Sequence, residues 1–191
     1  TLNINSPIDV EALAIDDGAS TLALNGNDVL LSGDLTNSGT ISSTGGGVLN
    51  FDSGGSQTIS ATGTTIAPVT VSTGGTTVTP TGFSSGNTIT IDGNLTVLDG
   101  ATFSGGSTGG NIVIQAGSGQ NGDVTVTNGS LVLSTNDNGT NPAPTYSLTG
   151  DFFVDDPNGS FTNNGREVIF NGSSAQTIAG SGAKGVDFFD L

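Results

Sequence analysis

Residues 51–60 read FDSGGSQTIS, and residues 170–179 read FNGSSAQTIA. The two stretches share a Phe, a Gly/Ser-rich turn and the tripeptide Gln-Thr-Ile at matching places. A repeat of this kind in a short chain is typical of proteins built from stacked similar units. We therefore expect the two copies to occupy equivalent positions in such units, with the Phe and the Ile of each copy facing the core.

A shorter repeat occurs three times and supports the first. It consists of two apolar residues two positions apart, then any one residue, then Gly, then Asp or Asn, then Leu or Phe. Its glycines are Gly33, Gly93 and Gly150. Because Gly adopts positive φ easily and Asx residues tolerate it, we interpret the Gly-Asx step as a tight bend between two strands, at equivalent corners of a solenoid.

Apolar residues alternate with polar ones along most of the 191-residue chain, as in the pairs Leu22/Leu24 and Val124/Val126. This alternation is the signature of half-buried strands, and good helix-forming residues are scarce. The chain is thus predicted to be all-β with almost no helix. We expect residues 1–191 to form a single β-solenoid domain or a segment of a longer solenoid.

Two all-β architectures fit this pattern. Residues 124–133, VTVTNGSLVL, carry the Asn-Gly hairpin signal that would suit an antiparallel β-sandwich. The same residues also suit two consecutive strands that turn a corner. The long-range repeats favour a right-handed parallel β-helix of about eight coils, since small uncharged corner residues suit coils stacked ~4.8 Å apart.

The net charge of −15 limits the partners of the chain. Only Arg166 and Lys184 are positively charged, whereas 17 residues are acidic. Nucleic acids and anionic membranes are bound through Lys and Arg, so we expect neither nucleic-acid binding nor membrane insertion. The absence of Cys excludes disulfides but does not assign a compartment.

Several segments resemble the repeats of a known group of proteins. Residues 170–178, the FFDL of residues 188–191 and the GNLTV of residues 93–97 are similar to repeats of large secreted bacterial surface proteins. These are adhesin-like and autotransporter-passenger-like proteins built as right-handed parallel β-helices. The resemblance implies an extracellular or cell-surface location and a structural or adhesive role. It leaves a glycan or host-surface target unidentified and transfers no catalytic residue.

Catalytic candidates are few. The chain has no His and no Cys, which excludes nucleophilic catalysis based on either residue. The only adjacent acid pairs are Asp16-Asp17 and Asp155-Asp156, and sequential strand residues point to opposite faces. We identify no catalytic residue and interpret the protein as non-enzymatic. The alternative, a carbohydrate-active β-helix lyase or hydrolase, would require a groove with convergent carboxylates.

Two acidic loops are candidates for calcium. The hypothetical ligands are Asp155 and Asp156 in one loop and Asp137 in the other. Hard oxygen ligands of this kind suit Ca²⁺, although neither loop has the spacing or the closing Glu of a known calcium loop. Asx-turn chemistry explains the same residues without metal, and we expect no other cofactor.

Threonine alternation suggests a minor alternative function. The segments TTVT at residues 76–79, TIT at 88–90 and TVT at 125–127 place threonines on the outer faces of strands. Flat threonine arrays on solenoids can order water and bind ice. Thr is also simply a good strand residue, and these triplets do not recur in every coil.

The two ends of the chain suggest assembly. Solenoids normally carry caps because a bare terminal coil is an open edge that invites pairing, and the sequence shows no such cap. Joining the C-terminus to the N-terminus preserves the alternation. The predicted interface consists of Thr1, Leu2, Ile4, Phe189 and Leu191. The subunits are expected to stack head to tail, or else to adjoin further segments of the same polypeptide.

Overall fold

Short alternating segments form the strands of this protein, as predicted. The computed structural model describes residues 1–61, 63–82, 87–106, 110–135, 144–155 and 158–180. The strands in chain order are β1 (Leu2–Asn3), β2 (Ile8–Val10), β3 (Leu13–Ile15), β4 (Thr21–Ala23), β5 (Val29–Leu31), β6 (Leu35–Asn37), β7 (Thr40–Ser42), β8 (Leu49–Phe51), β9 (Ser56–Ser60), β10 (Thr65–Ile66), β11 (Val69–Val71), β12 (Thr77–Thr81), β13 (Thr88–Asp92), β14 (Leu95–Leu98), β15 (Thr102–Ser104), β16 (Asn111–Gln115), β17 (Val124–Thr127), β18 (Ser130–Val132), β19 (Thr145–Leu148), β20 (Phe152–Asp155), β21 (Ser160–Thr162), β22 (Glu167–Phe170) and β23 (Ile178–Gly180).

Every third strand joins the same sheet. Sheet A runs β1-β4-β7-β10-β13-β16-β19-β22, sheet B runs β2-β5-β8-β11-β14-β17-β20-β23, and sheet C runs β3-β6-β9-β12-β15-β18-β21. All pairings between these strands are parallel, so the described residues form a right-handed parallel β-helix with no helical segment. The described chain makes seven complete coils of three strands and two strands of an eighth (23 = 7 × 3 + 2). The fold class is confirmed, and the sandwich alternative is wrong.

The core is a set of aliphatic columns that run along the solenoid axis. In sheet B, for example, Leu49 lies against Val69, which in turn lies against Leu95, and all three are buried. Aromatic side chains also pack against each other in the later coils, where the Phe152 and Phe161 rings meet edge-on with 5.0 Å between their centroids. Each coil therefore buries its apolar side chains against the coils before and after it.

The Asn-Gly segment at residues 124–133 is a corner rather than a hairpin. It connects β17 of sheet B to β18 of sheet C, and the two strands do not pair with each other. Asn128 takes the left-handed conformation at φ 53°, which Asn tolerates better than most residues. The corner therefore redirects the chain into the next sheet while the strands stay parallel to those of neighbouring coils.

The ten-residue repeat does not occupy equivalent coil positions, so that prediction is wrong. Phe51 ends β8 in sheet B, whereas Phe170 ends β22 in sheet A. Ile59 is 1% exposed in sheet C, but Ile178 is 43% exposed in sheet B. Ile178 still pairs in register with the buried Phe152 and lies in the last described coil, which explains its exposure.

What the two copies share is a hydrogen-bonded contact with the preceding coil. Gln57 donates from Nε2 to the carbonyls of Leu31 (2.8 Å) and Gly33 (2.6 Å). Gln176 donates in the same way to the carbonyls of Leu148 (3.2 Å) and Gly150 (2.5 Å).

The residue after each glutamine completes this contact. The backbone N–H groups of Thr58 and Thr177 donate to Oδ1 of Asp34 and Asp151, at 2.7 Å in both cases. The Gln-Thr step thus sits on a Gly-Asp corner one coil earlier. The Gln-Thr step of the longer repeat and the Gly-Asp step of the shorter repeat thus form the two sides of one contact between neighbouring coils. This contact occurs once at a corner between sheets B and C and once at a corner between sheets A and B.

The three repeated glycines also differ from the prediction. Gly93 and Gly150 lie at the corner between sheets A and B, whereas Gly33 lies at the corner between sheets B and C. Only Gly93 has positive φ, at 137°. A Cβ at Gly33 would lie 2.0 Å from the carbonyl oxygen of Glu11, and one at Gly150 would lie 2.2 Å from Oδ1 of Asp123. Close approach of neighbouring coils therefore explains two of these glycines.

Candidate functional surfaces

Sheet C carries a face made almost entirely of hydroxyl groups. We call the outward side chains of β9, β12, β15, β18 and β21 the hydroxyl face. Its members are Ser56, Thr58, Ser60, Thr77, Thr79, Thr81, Thr102, Ser104, Ser130, Val132, Ser160 and Thr162. Eleven of these twelve residues carry a hydroxyl, and all twelve are half-buried or exposed. The face spans five consecutive coils.

The hydroxyl face is aligned in rows along the solenoid axis. One row consists of five residues that pair in register from coil to coil, namely Ser56, Thr77, Thr102, Ser130 and Ser160. A second row contains Thr58 and Thr79, which also pair in register. Strand spacing and side-chain alternation place these groups on a grid of about 4.8 Å across strands and about 6.7 Å along them.

Charge is absent from the strands that form this face. No described strand of sheet C contains an acidic or basic residue. Sheets A and B do contain acidic strand residues, for example Asp92 in β13 and Asp155 in β20. Although the chain has a net charge of −15, the acidic side chains of the described residues are thus absent from the strands of one sheet and lie on the other two sheets and at the corners.

Several hydroxyls of this face remain free of protein partners. Within the described ranges, the side-chain hydroxyls of Thr58, Thr77 and Thr79 form no hydrogen bond with the protein. Ser160 is an exception, because its Oγ donates to Oγ of Ser130 at 2.9 Å. The hydroxyls of these three threonines are therefore available to a ligand or to solvent.

The N-terminal end is an uncovered apolar cross-section. Leu2 is 66% exposed, although its in-register neighbour one coil later, Leu22, is 4% exposed. The same contrast holds across the coil, where Leu13 is half-buried and its partner Leu35 is fully buried. A depression of about 470 Å³ opens here between the first strands of sheets A and C.

Part of the predicted assembly interface lies at this end. Thr1 and Leu2 are exposed, and Ile4 is buried beneath the corner that follows β1, with its N–H donating to the carbonyl of Ala23 at 2.8 Å. Phe189 and Leu191 lie outside the described residues. The head-to-tail interface therefore stays a prediction.

A ladder of Asx side chains runs along the corner between sheets A and B. Asn94 accepts from the N–H of Asp123 (2.9 Å), Asp123 accepts from the N–H of Asp151 (2.8 Å), and Asp151 accepts from the N–H of Thr177 (2.7 Å), each through Oδ1. Two surface depressions, of about 450 and about 310 Å³, are each lined by both Asp123 and Asp151. The smaller depression is also lined by the half-buried Phe153.

Sequence reasoning missed this pair of carboxylates, because Asp123 and Asp151 are 28 residues apart and become neighbours only through coil stacking. Asn94 forms the same hydrogen bond as the two aspartates, so a neutral amide can perform this role. The ladder is thereby explained by backbone N–H groups that need an acceptor at a corner.

The calcium hypothesis has one ligand candidate within the described residues. Asp155 ends β20 on the outer side of sheet B, and its carbonyl accepts from the N–H of Gly159 at 2.9 Å. Asp156 and Asp137 lie outside the described residues. In the described part of the chain, no three acidic side chains cluster closely enough to hold a metal ion.

Comparisons with protein families, curated proteins and solved structures found no match to this chain. The described residues also contain no helix with the length and apolarity needed to cross a bilayer. The solenoid architecture itself is thus the firmest basis for a functional proposal.

Proposed function

We propose that this chain is a non-enzymatic structural element of an extracellular protein, a solenoid that is extended by stacking further coils on its ends. The observation that carries the proposal is the stacking of parallel coils in three continuous sheets, in which each coil buries the apolar side chains of its neighbours. In the first described coil, Leu2 is exposed and Leu13 is half-buried, whereas the same positions one coil later are buried. A further coil of the same kind would bury them and would pair with the free edges of the first strands.

The extending coil is proposed to come from a second copy of the chain, stacked head to tail. Such a contact uses two different surfaces, so it generates an open fibre when the rotation does not close. The predicted interface of Thr1, Leu2, Ile4, Phe189 and Leu191 belongs to this assembly. An adjoining segment of a longer adhesin shaft would supply an equivalent coil. The extracellular location rests on the resemblance of the repeats to bacterial surface proteins.

Light scattering over a range of protein concentrations tests the stacking. We expect the average mass of the 191-residue chain to rise with concentration, and electron microscopy to show unbranched fibres. Leu2→Asp should abolish assembly, because it places a charge in the apolar cross-section. Thr70→Asp adds the same charge on the outer side of sheet B, where Thr70 pairs with Thr96, and should leave assembly unchanged. A wild-type chain that stays monomeric at high concentration would contradict self-assembly.

A carbohydrate-active enzyme is the competing function, since the corner groove does contain two carboxylates. Asp123 and Asp151 are already engaged through Oδ1 by backbone N–H groups, and Asn94 performs the same role one coil earlier. These contacts support a structural interpretation of the pair. Hydrolysis or lysis of a neutral or acidic polysaccharide that is lost on converting both aspartates to Asn would favour the enzyme.

A further inference from the structure

The hydroxyl face combines three properties that an ordinary solvent-exposed strand surface does not need to have. Its groups are regular, because the row from Ser56 to Ser160 keeps its register through five coils without a shift. It is uncharged in a strongly acidic chain. It has no outward aromatic residue, since Phe103 and Phe161 of the same strands point inward.

These properties restrict the chemistry of a partner. A surface without charge gains nothing from an ionic ligand, and acidic groups elsewhere on the chain would repel anions. Sugar rings are commonly bound by stacking on aromatic side chains, which this face lacks. What the face does offer is a repeated hydroxyl at nearly constant spacing in two directions, accompanied at six of its twelve positions by the methyl group of threonine.

We propose that the hydroxyl face binds the surface of ice. The strand geometry fixes a grid of about 4.8 by about 6.7 Å, and water held in order by hydroxyls on this grid can continue into the lattice of an ice crystal. Charged side chains orient their own hydration shells and would disturb that order, which agrees with their exclusion from sheet C. The free hydroxyls of Thr58, Thr77 and Thr79 lie on the first two strands of this surface, β9 and β12.

The Thr-x-Thr triplets do not recur in every coil, so the sequence alone shows no continuous hydroxyl array. The structure changes that premise. The face is assembled from dissimilar segments, such as the Ser-Gln-Thr of β9 and the Thr-Val-Thr of β12, which pair in register. The Thr-x-Thr segment of residues 125–127 lies on sheet B and takes no part in the face. This proposal rests on the fold and is independent of end-to-end assembly.

Partition of the protein between slowly growing ice and the remaining liquid tests the proposal directly. We expect the wild-type chain to be enriched in the ice fraction and to inhibit ice recrystallisation. Thr79→Glu places a charge on the outward side of β12 within the face and should reduce the enrichment several-fold, whereas Thr79→Ser should retain it. Ser130→Glu is a second variant with the same expectation on a different row.

Thr96→Glu is the matched control. Thr96 is half-buried, faces outward from sheet B and pairs with Thr70 and Thr125, so the added charge and the strand environment are similar. Circular dichroism and thermal melting check that each variant is folded. A folded wild-type chain that is not enriched in ice would overturn the proposal, as would an equal loss in the Thr96 control. Retention on microcrystalline cellulose without ice binding would show a different partner and would also overturn it.

Discussion

Gln57 and Gln176 form the same pair of hydrogen bonds at different depths in the solenoid. Gln57 is 1% exposed, whereas Gln176 is only half-buried in the last described coil. Removing a buried donor leaves its two carbonyl partners unsatisfied, which costs more than the loss of a solvated hydrogen bond. The identical chemistry of the two sites therefore isolates the effect of burial.

We predict that Gln57→Ala lowers the free energy of unfolding by about 1–3 kcal/mol, because the carbonyls of Leu31 and Gly33 lose their donor. Gln176→Ala should have a clearly smaller effect, since water can replace the side chain there. Urea unfolding followed by circular dichroism measures both values. Equal losses for the two variants would show that depth within the coil stack is not the deciding factor.

Tyr146 offers a test by pH. Burial raises its pKa to about 12, while the hydrogen bond from the Ser134 N–H and the nearby Arg166 charge act in the opposite direction. The folded protein thus retains the phenol proton more tightly than the unfolded chain, whose tyrosine titrates near 10.0. This contribution to stability is fully present below pH 10 and is lost as pH rises towards 12.

As the only tyrosine in a chain without tryptophan, Tyr146 can be titrated by its phenolate absorbance. We expect a midpoint near 12 in the folded protein, and a steeper loss of stability above pH 10 in the wild type than in Tyr146→Phe. A midpoint near 10 while the circular dichroism spectrum is still native would contradict the buried phenol.

At the scale of strands and corners, Gly33 and Gly55 separate two reasons for using glycine. Neither has positive φ. A Cβ at Gly33 would collide with the carbonyl oxygen of Glu11 in the preceding coil, at 2.0 Å, whereas a Cβ at Gly55 would meet only Oγ of Ser53, at 3.8 Å. Gly33 is thus required because the neighbouring coil leaves no room for a side chain, whereas Gly55 lies in an open turn.

Gly33→Ala should therefore destabilise the protein by about 1–3 kcal/mol, as expected when an added methyl group forces packed backbone apart. Gly55→Ala should be neutral or should stabilise by about 0.4–1 kcal/mol, because it reduces the freedom of the unfolded chain. Thermal melts of the two variants give the comparison. A tolerated Gly33→Ala would mean that the corner can widen, and that coil spacing does not select glycine there.

The same corners show where sequence reasoning succeeds and where it stops. Alternation as in Val124-Thr125-Val126 is local, so the strands and the parallel β-helix could be predicted. Register depends on the length of every coil, and successive coils differ because turns such as the one between β16 and β17 are longer than others. The ten-residue repeat therefore predicts equivalent positions for Phe51 and Phe170, although the two residues lie in different sheets.

The hydroxyl face escaped prediction for the same reason. Ser56, Thr77 and Thr102 share no local motif, and only inter-coil pairing brings them into one row. The Asp123 and Asp151 pair was likewise invisible, because its members are related by stacking and not by spacing. Local sequence patterns are thus sufficient to predict the strands. The surfaces formed by residues of several coils can be recognised only when the pairing register between the coils is known.

For the molecule as a whole, electrostatics is dominated by acidic groups. With 17 acidic and two basic residues, the chain repels itself in the folded state. Sodium chloride should raise the melting temperature between roughly 0.01 and 0.15 M, where the Debye length falls from about 30 to about 8 Å. Any monovalent salt should act in this way, so this screening sets the baseline against which a specific effect of calcium must be measured.

Calcium would add to this baseline only if it binds the folded chain at a defined site, because a ligand that binds the native state alone stabilises by mass action. If the loop that follows Asp155 binds calcium, calcium chloride should raise the melting temperature more than sodium chloride of equal ionic strength, and Asp155→Asn should remove the excess by withdrawing a charged ligand. Asp99→Asn is the control, since Asp99 lies at a corner in the left-handed conformation, which Asn accepts equally well. Identical melting temperatures in the two salts would exclude a calcium site, and Asp155 would then act as a turn residue of an acidic solenoid without metal.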